Sequence, residues 1–240
     1  ASRTGETIGY AYLINALGCI LGSVVTGFIL IPLFGIYKTF ILVIVVNFLI
    51  GVFIFLLSQK KFAFSQAVTV GILIFLVSIL FAQTHPWPKG LLTSNIAIDP
   101  KLYLGHSKYE ILNSAERAEL LYYKEGLGAT VAVKRNDDAI ALAINANIDA
   151  SSGADMVTQL MLGHLPTLFA QDPKRALVIG MGSGVTLGAL ASYPYKEIHC
   201  VELEAAVVEA AKYFSKENRN VLSDPRLRNF INDGRNHLLA

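Results

Sequence analysis

The chain has 240 residues, of which 20 are Lys or Arg and 18 are Asp or Glu, a formal net charge of +2. That figure averages two regimes: residues 1–83 carry only Arg3, Glu6, Lys38, Lys60 and Lys61, a net of +3, and the remainder nets −1. No basic stripe runs through the charged part, so no nucleic-acid partner is expected; 53% hydrophobic against 16% charged residues points to a multi-pass membrane protein.

Residues 1–84 read as transmembrane helices, with spans at 8–31, 36–58 and 64–83. The first is uncharged over 24 residues, about 36 Å as a helix, enough to cross a bilayer. Lys38 sits where it can snorkel at the start of the second. Gly18 and Gly22 form a GxxxG step, repeated by Ser23 and Gly27, a small-residue face that lets helices of one bundle approach closely. Asn15 and Asn47 are amides deep in the spans, expected to hydrogen-bond between helices. Pro32 and Gly35 break the first span from the second, and Trp87 is placed for the membrane interface. Charge bias fixes orientation weakly. A nucleotide ligand, argued below, favours the cytoplasmic face of the cell membrane for the soluble part. Cys19 and Cys200 are expected as free thiols. The chain starts at Ala1 rather than Met and reads as a fragment of a longer one.

Residues 85–121 read as a linker, with a short helix at 114–121 capped by Ser114. The β-prone runs 129–135 and 139–144 flank Asn136-Asp137-Asp138 and predict a hairpin. A helix from Met156 to Leu168 is expected to stop near Pro166.

The informative region is 171–240. Ala176-Leu177-Val178-Ile179 is a short apolar run of the buried-strand type, and it enters Gly180-Met181-Gly182-Ser183-Gly184. A helix at 185–192 follows, then a strand at 198–201 ending in Glu202, and a helix at 205–214. A third strand at 227–231 leads into Asp233-Gly234. This β-α-β-α-β order predicts a doubly wound parallel sheet, whose ligands bind at the carboxyl ends of the strands. Gly180, Gly182 and Gly184 let backbone amides approach a ligand. Glu202 can accept both hydroxyls of a ribose, and Asp233 is placed for an adenine amino group. NAD sites also pair a glycine loop with an acidic residue, but Val185 stands where the third glycine of GxGxxG would be. The Asp-Gly after the third strand favours the S-adenosyl class. The fold expected is therefore a Rossmann-like S-adenosylmethionine-dependent methyltransferase fold, incomplete at the C-terminus and preceded by a small β-hairpin region.

On these residues 122–240 resemble spermidine synthases, and the whole chain resembles membrane-fused spermidine synthase-like proteins, in which transporter-like helices precede the enzyme domain. Tyr123-Lys124-Glu125-Gly126 with the hairpin is similar to the family's N-terminal β-region, here 122–170. The run 142–149 is similar to its LxLDGxxQ segment, GMGSGV to its GGGDGG loop, and Asp233-Gly234 to its adenine-side DG. The resemblance implies aminopropyl transfer from decarboxylated S-adenosylmethionine to a polyamine such as putrescine. It implies nucleoside contacts at Glu202 and Asp233, and substrate contacts at Thr158 and Gln159. Asp149 stands for a donor-contacting glutamine, and Ser183 for the loop aspartate that contacts the donor's amine. Asn145 stands for the aspartate of LDG, and Ala154-Asp155-Met156 for DEF. The residue that deprotonates the acceptor amine is expected beyond Ala240, so the fragment alone is expected to be inactive.

Two other readings stay open: an S-adenosylmethionine-dependent methyltransferase-like enzyme, and a non-catalytic membrane transport or sensing protein. Oligomerisation is compatible with all of them. His164 reads as a cap or packed residue, and His199 and His237 lack metal-type spacing, so no metal is expected.

Overall fold

The structure, a computed structural model, describes residues 2–58, 70–74, 86–171 and 174–239. The chain divides into two compact units, Ala1–Trp87 and Pro88–Ala240.

In the first unit, α1 (Ser2–Val25) passes through a π-helical turn at Thr26–Leu30 into α2 (Ile31–Ser58). The helix is broken at Gly35, where φ is 79° and ψ 166°. Pro32 follows directly on the π-helical turn, a local rearrangement of the helix's bonding next to a residue that has no N–H to give. The interruption expected of Pro32 and Gly35 thus falls on Gly35, and helix occupies both expected spans on either side. Of the span at 64–83 only 70–74 lie within the described residues, and these are helical. Asn47 Nδ2 donates to Val43 O at 2.8 Å, one turn back in its own helix, and its expected bond to another helix involves residues largely outside the described ones. A Cβ built on Gly18, Gly22 or Gly27 meets no described atom within 4 Å, so the small-residue face is unpacked among the described residues.

The second unit begins with α3 (Lys89–Leu92) and α4 (Lys108–Arg117). The segment read as a linker therefore holds helix, and its cap is not Ser114. Ser107 and Glu110 form a capping box, each side chain bonded to the other's backbone N–H. Ser114 lies inside α4 with its hydroxyl on Ile111 O. The expected helical run 114–121 is cut short by strand β1 (Glu119–Glu125), whose Leu121 and Tyr122 pack against the core.

The expected hairpin is real but part of a larger sheet. β1, β2 (Thr130–Asn136), β3 (Ala139–Ile144) and β4 (Asn147–Ser151) form a four-stranded antiparallel meander in sequence order. Asn145 and Ala146, at φ 50° and 67°, make the two-residue turn that joins β3 to β4. That twist matches antiparallel strands. An alanine in this conformation gives little warning in sequence, which is why β4 was not foreseen.

α5 (Met156–Phe169) runs through Pro166 rather than ending before it. Then come β5 (Arg175–Ile179), α6 (Val185–Ala191), β6 (Glu197–Glu202), α7 (Ala205–Ala210) with a 3-10 turn at Ala211–Phe214, β7 (Leu227–Ile231) and α8 (Gly234–Leu239). β5, β6 and β7 pair in parallel in that order. One core cluster joins Val131, Val133 and Leu142 of the antiparallel sheet to Ile198 and Cys200 of β6, and to Leu187, Val207, Ala210 and Phe214 of the helices. Cys200 is fully buried, and burial pushes its thiol up to about 12, so it stays protonated filler. Because three parallel strands start together, their carboxyl ends and following turns, at Gly180, Leu203 and Asn232, gather at one end of the sheet.

Candidate nucleoside site

The loop after β5 is built on left-handed backbone. Gly180, Gly182 and Gly184 have φ of 89°, 56° and 81°. A side chain at each would cost roughly 1–2 kcal/mol, so the alternation of glycine is a backbone requirement. Gly180 N–H donates to Val201 O at 2.8 Å, which fastens the start of the loop to β6. Met181, between the glycines, sends its side chain into the core.

Glu202 closes β6 and is the acidic centre of the site. It is 8% exposed. Its Oε2 accepts the Met181 N–H at 2.7 Å, and its Oε1 accepts the Glu204 N–H at 3.0 Å. A buried carboxylate needs such donors. Here they also fix where both oxygens point, and they tie the glycine loop to the β6–α7 turn. Glu204 extends the arrangement: its carboxylate accepts the N–H of Ala206 at the start of α7 and that of Gly128 at 3.2 Å. A Cβ on Gly126 would lie 2.4 Å from Glu204 Oε1, so the β1–β2 turn, continuous with Tyr123 and Glu125, presses directly on this corner.

Asp233 lies beside Glu202, because Asn232 N–H donates to Glu202 O at 3.0 Å. Asp233 is exposed, and its Oδ1 accepts the Asn236 N–H at 2.9 Å. One carboxylate oxygen therefore caps α8. Gly234 has a packing reason: a Cβ there would stand 2.6 Å from Ile179 Cγ2.

The other side of the loop meets β4 and α5. Ser183 is 2% exposed, and its hydroxyl donates to Gln159 Oε1. Gln159 Nε2 donates to Ser151 O at 2.8 Å and to Asp155 Oδ2 at 2.9 Å. Asp155 also accepts the Ser151 N–H at 2.7 Å and the Ser151 hydroxyl. Ser183 and Gln159 thus satisfy one another, and Ser183 faces inward. Asp149 is exposed on β4 and accepts Asn147 Nδ2 at 2.8 Å. Thr158 is exposed, about 100° round α5 from Gln159. The structure brings Gly180, Gly182, Ser183, Gly184, Glu202, Asp233 and Gln159 together, and turns Thr158 away from Gln159's bonds.

Sequence reasoning missed Ser151 and Asp155 as the partners that hold Gln159 against the loop. The Ser-Ser-Gly-Ala-Asp run before the apolar helix has the residue types of a cap, but Asp155 makes no side-chain cap bond and spends its carboxylate on Ser151 and Gln159. Sequence reasoning also missed Asn218. Fully buried, that residue donates from Nδ2 to Ser183 O at 3.0 Å and to Ala211 O at 2.9 Å. A contact from side chain to backbone across 35 residues leaves no spacing signature.

Comparison with known proteins finds similar chains of one kind. Residues 155–240 match the spermine/spermidine synthase domain. The chain is 27% identical over 121 residues to polyamine aminopropyltransferase 2 of Aquifex aeolicus, covering 49% of this chain and 24% of the relative. It is 39% identical over 74 residues to the polyamine aminopropyltransferase of Nitrosomonas europaea, covering 30% and 23%. It is 31% identical over 94 residues to the spermidine synthase of Dictyostelium discoideum, covering 39% and 33%. The chain therefore spans about a quarter to a third of the length of these relatives. A crystal structure of spermidine synthase from Thermotoga maritima aligns with a TM-score of 0.47 at 23% identity, over 50% of this chain and 42% of that one. Over 155–240, the stretch that holds the glycine loop, Glu202 and Asp233, this chain is spermidine synthase-like.

Proposed function

We propose that the chain is part of a membrane-bound aminopropyltransferase that moves an aminopropyl group from decarboxylated S-adenosylmethionine to a polyamine such as putrescine. The observation that carries this is Glu202, a buried carboxylate aimed by two backbone N–H groups between a left-handed glycine loop and Asp233. A carboxylate has about four lone-pair sites, and two are used internally. The remaining pair matches the two hydroxyls of a ribose. The oxygen of Asp233 that does not cap α8 is available to an adenine amino group. The donor nucleoside supplies a sulfonium. In the transfer, an unprotonated amine nitrogen attacks the carbon next to sulfur and the C–S bond breaks. Its electron pair goes to sulfur, which becomes a neutral thioether, and the new ammonium loses its proton to a base. The protein's part is to hold amine and carbon in line. The comparisons support this reading over its rivals.

The membrane part of the proposal rests on the first unit. The stretch Gly5–Phe55 has a mean hydropathy of 2.5 in its most apolar window, and 6% of that window is buried. At 51 residues it would be about 76 Å long if straight, over twice the hydrocarbon thickness of a bilayer. The break at Gly35 divides it into two lengths that each suit one crossing. We place the nucleoside unit on the cytoplasmic side, with the bilayer and a small polyamine as its partners.

Titration calorimetry of the protein with S-adenosylmethionine and with its decarboxylated form tests the reading. Tighter binding of the decarboxylated form is expected. Indifference to both nucleosides would overturn it. One observation favours methyl transfer as a second reading: the loop carries the buried hydroxyl of Ser183 and no carboxylate for a cationic amine. Preference for S-adenosylmethionine would select that alternative.

A further inference from the structure

We propose that Asn218 is a positioning residue for this site: it sets the spacing between the glycine loop and the arm that carries Glu202. The inference rests on the nucleoside reading above. The two arms are joined at the front by the bond from Met181 N–H to Glu202, on the ligand side. Asn218 joins them from behind. Its Nδ2 has two hydrogens, and it gives one to Ser183 O in the loop and the other to Ala211 O at the end of α7. α7 starts three residues after Glu202, so this single amide links the loop to the far end of the element that Glu202 leads into.

The fit around Asn218 is close. A Cβ on Gly184 would lie 3.1 Å from its Nδ2, and a Cβ on Gly188 would lie 2.3 Å from its backbone O. The turn bearing Asn218 is held in place by Asn218 N–H on Phe214 O at 2.8 Å and by Arg219 and Asn220 in left-handed backbone. The orientation of the amide is determined by its partners: both are carbonyls, so both need the NH2 group. Oδ1 is left buried with no partner among the described residues. Buried acceptors are rarely left so. Leucine would fill similar volume without that cost, but would take away the Ser183 carbonyl's donor and the tie to Ala211 O. The side chain is therefore chosen for its two donors, and the donors act on the loop.

A residue that merely stabilises the unit would lower its melting temperature and leave the folded protein's affinity intact. A residue that spaces the arms moves both. The test compares Asn218→Ala and Asn218→Asp with Arg226→Met. Asp keeps the shape but cannot donate. Arg226 is the control, because its guanidinium bonds Ala191 O and Tyr193 O at the opposite end of α6 and touches no part of the loop. Calorimetry with decarboxylated S-adenosylmethionine is run below each melting temperature, with affinity expressed per folded molecule. Both Asn218 variants should bind about 10- to 100-fold more weakly, the scale expected when a remote change misplaces a site by an ångström. Arg226→Met should melt lower and bind as wild type. Wild-type affinity in the Asn218 variants overturns the proposal alone. Absence of nucleoside binding by the wild type overturns both it and the reading beneath it.

Discussion

Replacing Glu202 by glutamine tests the site most directly, and the structure gives the size of the effect. The side chain keeps its length, so packing is unchanged. One carboxylate oxygen becomes an NH2 group. Glu202 accepts N–H groups on both oxygens, from Met181 at 2.7 Å and Glu204 at 3.0 Å. Whichever way the amide turns, one of those N–H groups faces a donor instead of an acceptor. Leaving one such buried group unsatisfied costs about 1–3 kcal/mol of stability. Binding suffers separately, because one ribose hydroxyl loses a charged acceptor. Hydrogen bonds to charged groups contribute about 1.5–3 kcal/mol, roughly 10- to 150-fold in Kd. Urea unfolding followed through the second unit reads the first effect, and calorimetry with the donor nucleoside reads the second. If Glu202→Gln binds the nucleoside as the wild type does, Glu202 is not the ribose ligand and its carboxylate serves only to fasten the loop.

Two further outcomes follow from packing and burial. Gly188→Ala would put a Cβ 2.3 Å from the backbone O of Asn218, a clash with backbone that no rotamer relieves. It should cost about 1–3 kcal/mol, measured by thermal melting, and the overpacked turn should weaken nucleoside binding with it. Lys134 lies half-buried with its Nζ on Gly90 O at 2.8 Å, and burial lowers its pKa from 10.5 to about 8. The folded state therefore holds fewer protons than the unfolded state across that window. Stability contributed through Lys134 rises as pH goes from about 8 toward 10.5. Denaturation at several pH values should show that rise in the wild type relative to Lys134→Met; parallel curves would refute it.

Much of the site was legible because its signals are local. The glycine alternation at 180–184 is dictated by left-handed backbone at each glycine, and backbone conformation is written in residue type. Glu202 ends β6 and Asp233 follows β7 by two residues, and both strands are short, so the strands and their ends could be read. The break at Gly35 was legible for the same reason. What failed were features decided by competition between neighbours. Ser114 looked like a cap until Ser107 and Glu110 supplied a better one. Strand β4 hung on a turn that uses Ala146 where glycine or asparagine would have announced it.

The sequence by itself therefore determined the apolar character of the first unit, the parallel β-α-β-α-β order and the residues at the strand ends. Period, residue type and short spacing carry all of these. The tertiary structure alone decided which of those residues meet. It turned Ser183 inward onto Gln159, gave one oxygen of Asp233 to the cap of α8, and set Asn218 behind the loop. Each of these depends on segments brought together by packing, or on a side chain's choice among several bonding partners. No property of the single residue reveals that choice.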